Sequence, residues 1–390
     1  MIDYSYATLN NIAKEGISIV EAAGLKKVNP DKDPSVILLR SAELHDHTFG
    51  ESLLAVGRAG AGVNNIPIDL LTSRGIPVFN APGANANAVK ELVIGSILLA
   101  ARNLIEASVY ISKLDVNDPL FKKNIENGKK QFIGTELPGK TLGVIGLGSI
   151  GLEVANSALA LGMKVIGYDP AITVSHAWKL SSDVKHSNKL GDLLKQSDYI
   201  TIHVPLVDQT RNLINVENVL SIKNGCVLLN FSRDGIISTD ALKLGLGKNL
   251  SKYITDFAEP VLFGYPNVTT FPHLGASTYE AELNCAVMVS ENICRFIRDG
   301  EIVNSVNLPN AILSRSRPFR LLVINENVPN MVGQITTILA SHHINISDFL
   351  NSSKGGVAVS LLDLDVKLQL TVLDEIKQIK GILSARYLEQ

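Results

Sequence analysis

Six residues, Gly146-Leu147-Gly148-Ser149-Ile150-Gly151, have the spacing of a phosphate cradle. The apolar run Thr141–Ile145 precedes them, and a helical pattern over Leu152–Leu161 follows. In that setting Gly146 permits a tight turn. Gly148 lets the backbone approach a pyrophosphate, and Gly151 lets the helix pack on the strand. Ser149 and Ile150 complete the loop ahead of the helix, whose N-terminus offers free N–H groups and a dipole that favour phosphate. A second apolar run, Lys164–Tyr168, ends at Asp169. A carboxylate there accepts hydrogen bonds from ribose hydroxyls and repels a 2′-phosphate, and Pro170 rather than an Arg comes next. The motif predicts a dinucleotide site that takes NAD in preference to NADP.

Three further groups could act on a substrate beside that cofactor. Arg233 follows the apolar run Cys226–Ser232, Glu259 lies just beyond Tyr253–Phe257, and His273 ends Val268–Pro272. Carboxyl ends of strands in an open α/β sheet face the ligand crevice, so the three can converge. An Arg holds a carboxylate in a planar, two-bonded pair. A His takes the hydroxyl proton as hydride leaves, and an acid orients the imidazole and stabilises its charged form. Hydride transfer at a 2-hydroxy acid suits this set. Spacing alone leaves a second reading open, in which each is a solvated loop residue.

These groups need a parallel sheet to position them. Continuous apolar runs alternate with stretches long enough for helices, at 36–41, 53–57, 78–80, 141–146, 164–169, 199–205, 226–232, 253–257 and 268–271. That rhythm indicates a Rossmann-type doubly wound parallel sheet in an α/β chain. Long helices expected over about 87–103 and 278–299 frame the block. They suggest a nucleotide-binding domain at 97–285 and a second, discontinuous flavodoxin-like α/β domain made of 1–96 and 286–308. A linker with two prolines and two arginines follows at 309–318. Beyond it, 319–390 reads as strand, helix, two strands joined by Lys354-Gly355-Gly356, helix and strand. That order is a ferredoxin-like βαββαβ module.

Composition narrows the function class. Lys plus Arg is 36 and Asp plus Glu is 38 in 390 residues, a net charge of −2 that lacks the basic excess of a general nucleic-acid binder. Cys226, Cys285 and Cys294 have no CxxC spacing and read as reduced packing residues. His45 and His47 lack the further ligands of a metal shell, so no metal site is expected. The first residues, Met1-Ile2-Asp3-Tyr4-Ser5-Tyr6, show no basic-then-apolar leader pattern, and the apolar stretch 92–101 is too short to span a bilayer. A cytoplasmic enzyme without a membrane partner is the expectation.

Motifs spread over the chain resemble the D-isomer-specific 2-hydroxyacid dehydrogenases. They are Val56-Gly57-Arg58-Ala59-Gly60-Ala61-Gly62-Val63-Asn64-Asn65, Phe79-Asn80-Ala81-Pro82-Gly83-Ala84-Asn85 and Glu136-Leu137-Pro138-Gly139-Lys140-Thr141-Leu142-Gly143. Asn230-Phe231-Ser232-Arg233, Asp256-Phe257-Ala258-Glu259 and Pro272-His273-Leu274-Gly275-Ala276-Ser277-Thr278 complete them. The resemblance implies that Arg233, Glu259 and His273 are catalytic. It implies cofactor contacts at Val204 and Pro205 beside the adenine, at Asp256 on the nicotinamide amide, and at Phe231, Ser232, Gly275 and Ala276. It implies substrate contacts at Arg58, Gly60, Asn85 and Arg233. Two departures stand out. The Asp256–Glu259 segment is shorter than usual, and Asp234 follows Arg233 where Gly is common.

The C-terminal module resembles an ACT domain, a type that commonly binds amino acids between paired modules. Within the family this combination points to the branch that acts on 3-phosphoglycerate in serine biosynthesis, with a phosphorylated 2-hydroxy acid as substrate and L-serine as possible effector. The distal phosphate would then need cations such as Arg58, Arg40, or Lys129 and Lys130 from a neighbouring subunit. Asn325, Asn327 and Asn345 match effector positions, although Asn325 stands where His is frequent and Asn330 where Gly usually opens the helix. Assembly as a homodimer or homotetramer is implied. A hydroxypyruvate or 2-oxoglutarate reductase, and a non-catalytic NAD-sensing binding protein, remain as alternatives.

Overall fold

Val, Ile and Leu dominate the strands of the first two sheets, as expected of strands covered on both faces. The structure is a computed structural model that describes residues 4–265 and 267–390. Met1–Asp3, part of the segment read for a leader, and Pro266 lie outside the described residues.

Strands β1 (Ser5–Thr8), β2 (Lys26–Lys27), β3 (Val36–Leu39), β4 (Ala55–Arg58) and β5 (Val78–Phe79) form a parallel sheet in the order β2-β1-β3-β4-β5. This is the flavodoxin-like doubly wound order. Strands β6 (Thr141–Ile145), β7 (Lys164–Tyr168), β8 (Lys185–His186), β9 (Tyr199–Ile202), β10 (Cys226–Asn230), β11 (Leu250–Thr255) and β12 (Val268–Thr270) form a second parallel sheet, in the order β12-β11-β10-β9-β6-β7-β8. Its reversal of direction lies between β6 and β9, the Rossmann switch point where dinucleotides bind. The expected strands are all present, most ending one to three residues early, with β4 running one residue further and β11 beginning three residues earlier; β1 lies outside the expected runs. The short pairs β2 and β8, four residues in all, carry too little pattern to be read in advance.

Strands β13 (Phe319–Glu326), β14 (Ile346–Lys354), β15 (Val357–Leu364) and β16 (Ile382–Glu389) make an antiparallel sheet in the order β14-β15-β13-β16, with helices Met331–Ser341 and Leu370–Lys377. This matches the ferredoxin-like expectation. Asn330 sits at φ 70° before the first of these helices, a left-handed conformation that explains why Gly is usual there and why Asn is accepted.

Two compact units contain these sheets, residues 1–85 with 279–390, and residues 86–278. The seams expected at 96/97 and 285/286 would fall inside the helices Ala86–Arg102 and Tyr279–Asp299; the compact units divide instead where each helix begins. The C-terminal module belongs to the first unit. Strand alternation explains why: Leu321 and Val323 face the module's own helices, whereas Leu322 and Ile324 join a core with Phe296, Val289 and Tyr6. The segment expected as a linker is fastened too. Ala311 is buried and exchanges backbone hydrogen bonds with Ile302, and the Ser316 N–H donates to Asp363 at 2.8 Å. Among the described residues, no single helix is long and apolar enough to cross a membrane.

Candidate active site

The glycine loop leaves β6 and enters the helix Ser149–Ala160. Gly146 has φ +90°, which an L side chain rarely adopts, and a Cβ on Gly151 would lie 1.9 Å from the Gly146 carbonyl oxygen. Gly148 faces open space, with no atom within 4 Å of a Cβ built there. No side chain caps the N-terminus of this helix. The backbone N–H groups of its first turn, which includes Ser149 and Ile150, are thus left for a ligand.

Asp169 does more than the motif suggests. Its Oδ2 accepts from the Leu147 N–H at 2.8 Å and its Oδ1 from the Ala171 N–H at 2.9 Å. The carboxylate that would read the ribose also fixes the loop that would hold the phosphates. NADPH should bind at least about tenfold more weakly than NADH, because like charges brought together cost several kcal/mol. Fluorescence titration checks this, and equal affinities would remove Asp169 as the discriminator.

The tips of β9, β10 and β11 are stitched by side chains that spacing could not reveal. Buried Asn230 donates from Nδ2 to the Arg233 carbonyl at 2.9 Å and accepts the Ser232 N–H at 3.1 Å. The Thr255 hydroxyl donates to the Asn230 carbonyl at 2.8 Å, and the Ser232 hydroxyl donates to the Val204 carbonyl. This clamp shapes the turn that carries Arg233. The half-buried guanidinium donates to the Ser232 carbonyl at 2.6 Å. Burial lowers its pKa, and the charge of Asp256 opposes that shift. His203, on β9's exit, shares a 2.9 Å hydrogen bond with Thr201, and burial pushes its pKa down to about 3. It is a neutral packing residue at pH 7.

Asp256 is a buried carboxylate. It is 2 % exposed, and its Oδ2 accepts the Gly275 N–H at 2.9 Å. Burial raises its pKa against the pull of the Gly275 N–H and the His273 charge. Its Oδ1 is buried with no hydrogen-bond partner. Such an atom calls for a donor, and the carboxamide of a nicotinamide supplies one. The open glycine loop and this orphan acceptor fit the dinucleotide expected from the motif.

His273 is exposed, with its ring 4.9 Å from that of Phe257. Its charge is felt by Asp256, and the charge of Asp256 is felt in turn by Arg233. The structure therefore brings Arg233, Asp256 and His273 into one electrostatic neighbourhood. It does not pair Glu259 with His273, as the sequence led us to expect. Glu259 Oε2 accepts the Thr239 hydroxyl at 2.6 Å. The reason is the short segment after Asp256, which leaves Glu259 beside the turn Pro260–Leu262 and against the helix Thr239–Leu246.

In the other unit, Arg58 Nε donates to Asn65 Oδ1 at 3.0 Å, and a Cβ on Gly60 would meet Arg58 Nη1 at 2.6 Å. Gly60 thus leaves room for that guanidinium. Asn85 has a buried Oδ1 without a partner. Arg40 is paired with Glu282 at 2.5 Å, and Lys129 with Glu126. The effector candidates do not meet within one chain. Asn325 and Asn327 lie at the Glu326/Val357 end of the sheet, whereas Asn345 precedes β14 at the Phe319/Leu364 end. Asn325 Nδ2 donates to the Glu326 carbonyl at 2.7 Å and Asn327 Nδ2 to the Gly355 carbonyl at 3.1 Å.

Comparison with known proteins places the chain in a family. Residues 94–275 match the family described as D-isomer specific 2-hydroxyacid dehydrogenase, NAD binding domain. A D-3-phosphoglycerate dehydrogenase of Methanocaldococcus jannaschii is 37% identical over 83% of this chain and 62% of its own length. A hydroxypyruvate reductase of Thermotoga maritima is 37% identical over 70% of this chain and 88% of its own. The crystal structure of NAD+-bound 3-phosphoglycerate dehydrogenase from Entamoeba histolytica superposes with a TM-score of 0.63 at 26% identity, covering 80% of this chain and all of that one. The chain spans between 51% and 62% of the length of three phosphoglycerate dehydrogenases that it matches. With its glycine loop, its switch-point sheet and identity that extends over most of the length of several relatives, the chain belongs to the D-isomer-specific 2-hydroxyacid dehydrogenase family.

Proposed function

We propose that the chain is an NAD-dependent dehydrogenase that converts 3-phosphoglycerate to 3-phosphooxypyruvate, in serine biosynthesis. The observation that carries this reading is the cluster of Arg233, Asp256 and His273 at the carboxyl ends of β10, β11 and β12, in the unit that bears the glycine loop. Arg233 pairs with the substrate carboxylate and orients C2. His273 takes the C2 hydroxyl proton during oxidation and returns it during reduction. Bound NAD would supply the acceptor for the hydride that leaves C2. Asp256 would hold the nicotinamide end through its unpartnered Oδ1, and Ser149, Ile150 and Asp169 would hold the rest. Val204, Pro205, Phe231, Ser232, Gly275 and Ala276 line the cofactor's path. Glu259 is the acid of the set by resemblance, and its bond to Thr239 gives it a loop-holding role.

Arg58, Gly60 and Asn85 are the proposed substrate contacts, with Arg58 as the cation for the phosphate. The Methanocaldococcus jannaschii phosphoglycerate dehydrogenase aligns over 83% of the chain, against 70% for the hydroxypyruvate reductase. Rates of NADH consumption with phosphohydroxypyruvate, hydroxypyruvate and 2-oxoglutarate test the choice. The phosphorylated substrate should lead in kcat/KM by at least about tenfold, from one charge-assisted contact of about 1.5–3 kcal/mol. Faster turnover of hydroxypyruvate would favour the reductase reading, and no turnover of any would favour a binding protein.

We further propose a cytoplasmic homodimer or homotetramer whose C-terminal module takes L-serine. The support is geometric. β14 is an edge strand, and Asn345 lies at the opposite end of the sheet from Asn325 and Asn327. A pocket that uses all three needs two modules.

A further inference from the structure

The segment after the helix Tyr279–Asp299 runs along β5 as an added edge. The Val306 N–H donates to the Val78 carbonyl at 2.9 Å. Asn307 accepts the Val78 N–H at 2.8 Å and donates to the Ile76 carbonyl at 2.9 Å. The β14–β15 hairpin leans on the same segment, where Lys354 Nζ donates to the Val306 carbonyl at 2.8 Å. A cavity of about 500 Å³ opens between them. Asn80, Asn304, Asn310 and Lys354 supply its uncommitted polar groups.

We infer that this cavity binds a small carboxylate that carries a neighbouring hydroxyl or ammonium group. Its volume lies in the range of small-molecule sites. Its lining contains one cation and no acid. Among the described residues Lys354 has no carboxylate partner, and its one hydrogen bond goes to a neutral carbonyl. The amides supply both kinds of partner. Asn80 spends Nδ2 on the Ala61 carbonyl at 2.7 Å, which leaves Oδ1 to accept. Asn310 spends Oδ1 on the Asn304 N–H at 3.1 Å, which leaves Nδ2 to donate. Lys354 and Asn310 thus suit a carboxylate, and Asn80 suits the donor beside it. A phosphate dianion fits less well, because one lysine leaves half its charge uncompensated and no arginine fork is present in the lining. The walls come from the β5 end, the connecting segment and the C-terminal hairpin, so a ligand here bridges the module to the body that carries Arg58.

Titration calorimetry on the full chain tests this, with L-serine and D-glycerate as the amino and hydroxy probes. Lys354→Met and Asn310→Asp are the variants, because Asn310→Asp leaves the acceptor for Asn304 in place. At least one probe should still bind in an Asn345→Ala background, with affinity at least tenfold weaker when either cavity variant is added. Equimolar inorganic phosphate should not displace it. Binding by neither probe would overturn the inference. So would binding in that background that survives both cavity variants, or binding that Asn345→Ala alone abolishes.

Discussion

His273→Asn should lower turnover by about 10²- to 10⁴-fold, the usual contribution of a positioned general base, while NADH affinity stays unchanged. The imidazole is exposed beside Phe257 and carries none of the hydrogen bonds that shape the glycine loop or the β10 turn. Loss of the ring therefore removes proton transfer without disturbing the cofactor's cradle. Stopped-flow reduction and NADH titration separate the two effects, and unchanged turnover would remove His273 from the chemistry. Glu259→Gln should cost less, because its carboxylate is engaged by Thr239. A loss equal to that of His273→Asn would show that Glu259 leaves Thr239 to back the imidazole during turnover.

The largest stability effect is expected at Asp363. Arg320 and Asp363 face each other across β13 and β15, and both side chains are fully buried. Arg320 donates from Nε at 2.5 Å and from Nη2 at 2.9 Å to the two carboxylate oxygens, and from Nη1 to the Asp299 carbonyl at 3.1 Å. Ser316 adds its N–H and hydroxyl to Asp363. The pair thus ties the module, the connecting segment and the end of the helix Tyr279–Asp299. Asp363→Ala leaves a buried guanidinium unpaired and should cost about 3–5 kcal/mol, read from urea unfolding. The double variant Arg320→Met, Asp363→Leu should cost much less, because no charge remains to be compensated. A loss under about 1 kcal/mol for Asp363→Ala would contradict the assignment, since that is the scale of a surface pair.

The same pair predicts an acid dependence. Burial pushes the Asp363 carboxyl up, but the bonds from Arg320 and Ser316 pull it down further, so its pKa lies below the ordinary value. A depressed folded pKa contributes stability that is complete above the unfolded value of about 3.9 and is lost as pH falls through the folded one. The gap between the natural protein and Asp363→Ala should therefore narrow below about pH 4.

Much of the site could be read in advance because it is written in local pattern. The glycine spacing, the apolar runs that become β6, β7 and β9 to β12, and the acid at Asp169 each depend on neighbours a few residues away. The positions of Arg233 and His273 at strand ends follow from the same rhythm. The partner of Glu259 could not be read, because Thr239 lies 20 residues earlier on a helix and no periodicity joins them. Asn230 looked like one more strand residue, yet it is the clamp on the Arg233 turn.

Residue order by itself determined the three sheets, the nucleotide loop and its acid, because backbone conformation and alternation of apolar side chains are set over short stretches. Tertiary structure alone decided which carboxylate lies near the imidazole, what seals the outer face of the C-terminal sheet, and where the buried Arg320–Asp363 pair anchors it. Those outcomes rest on contacts between residues far apart in the chain, and such contacts exist only once the units have packed.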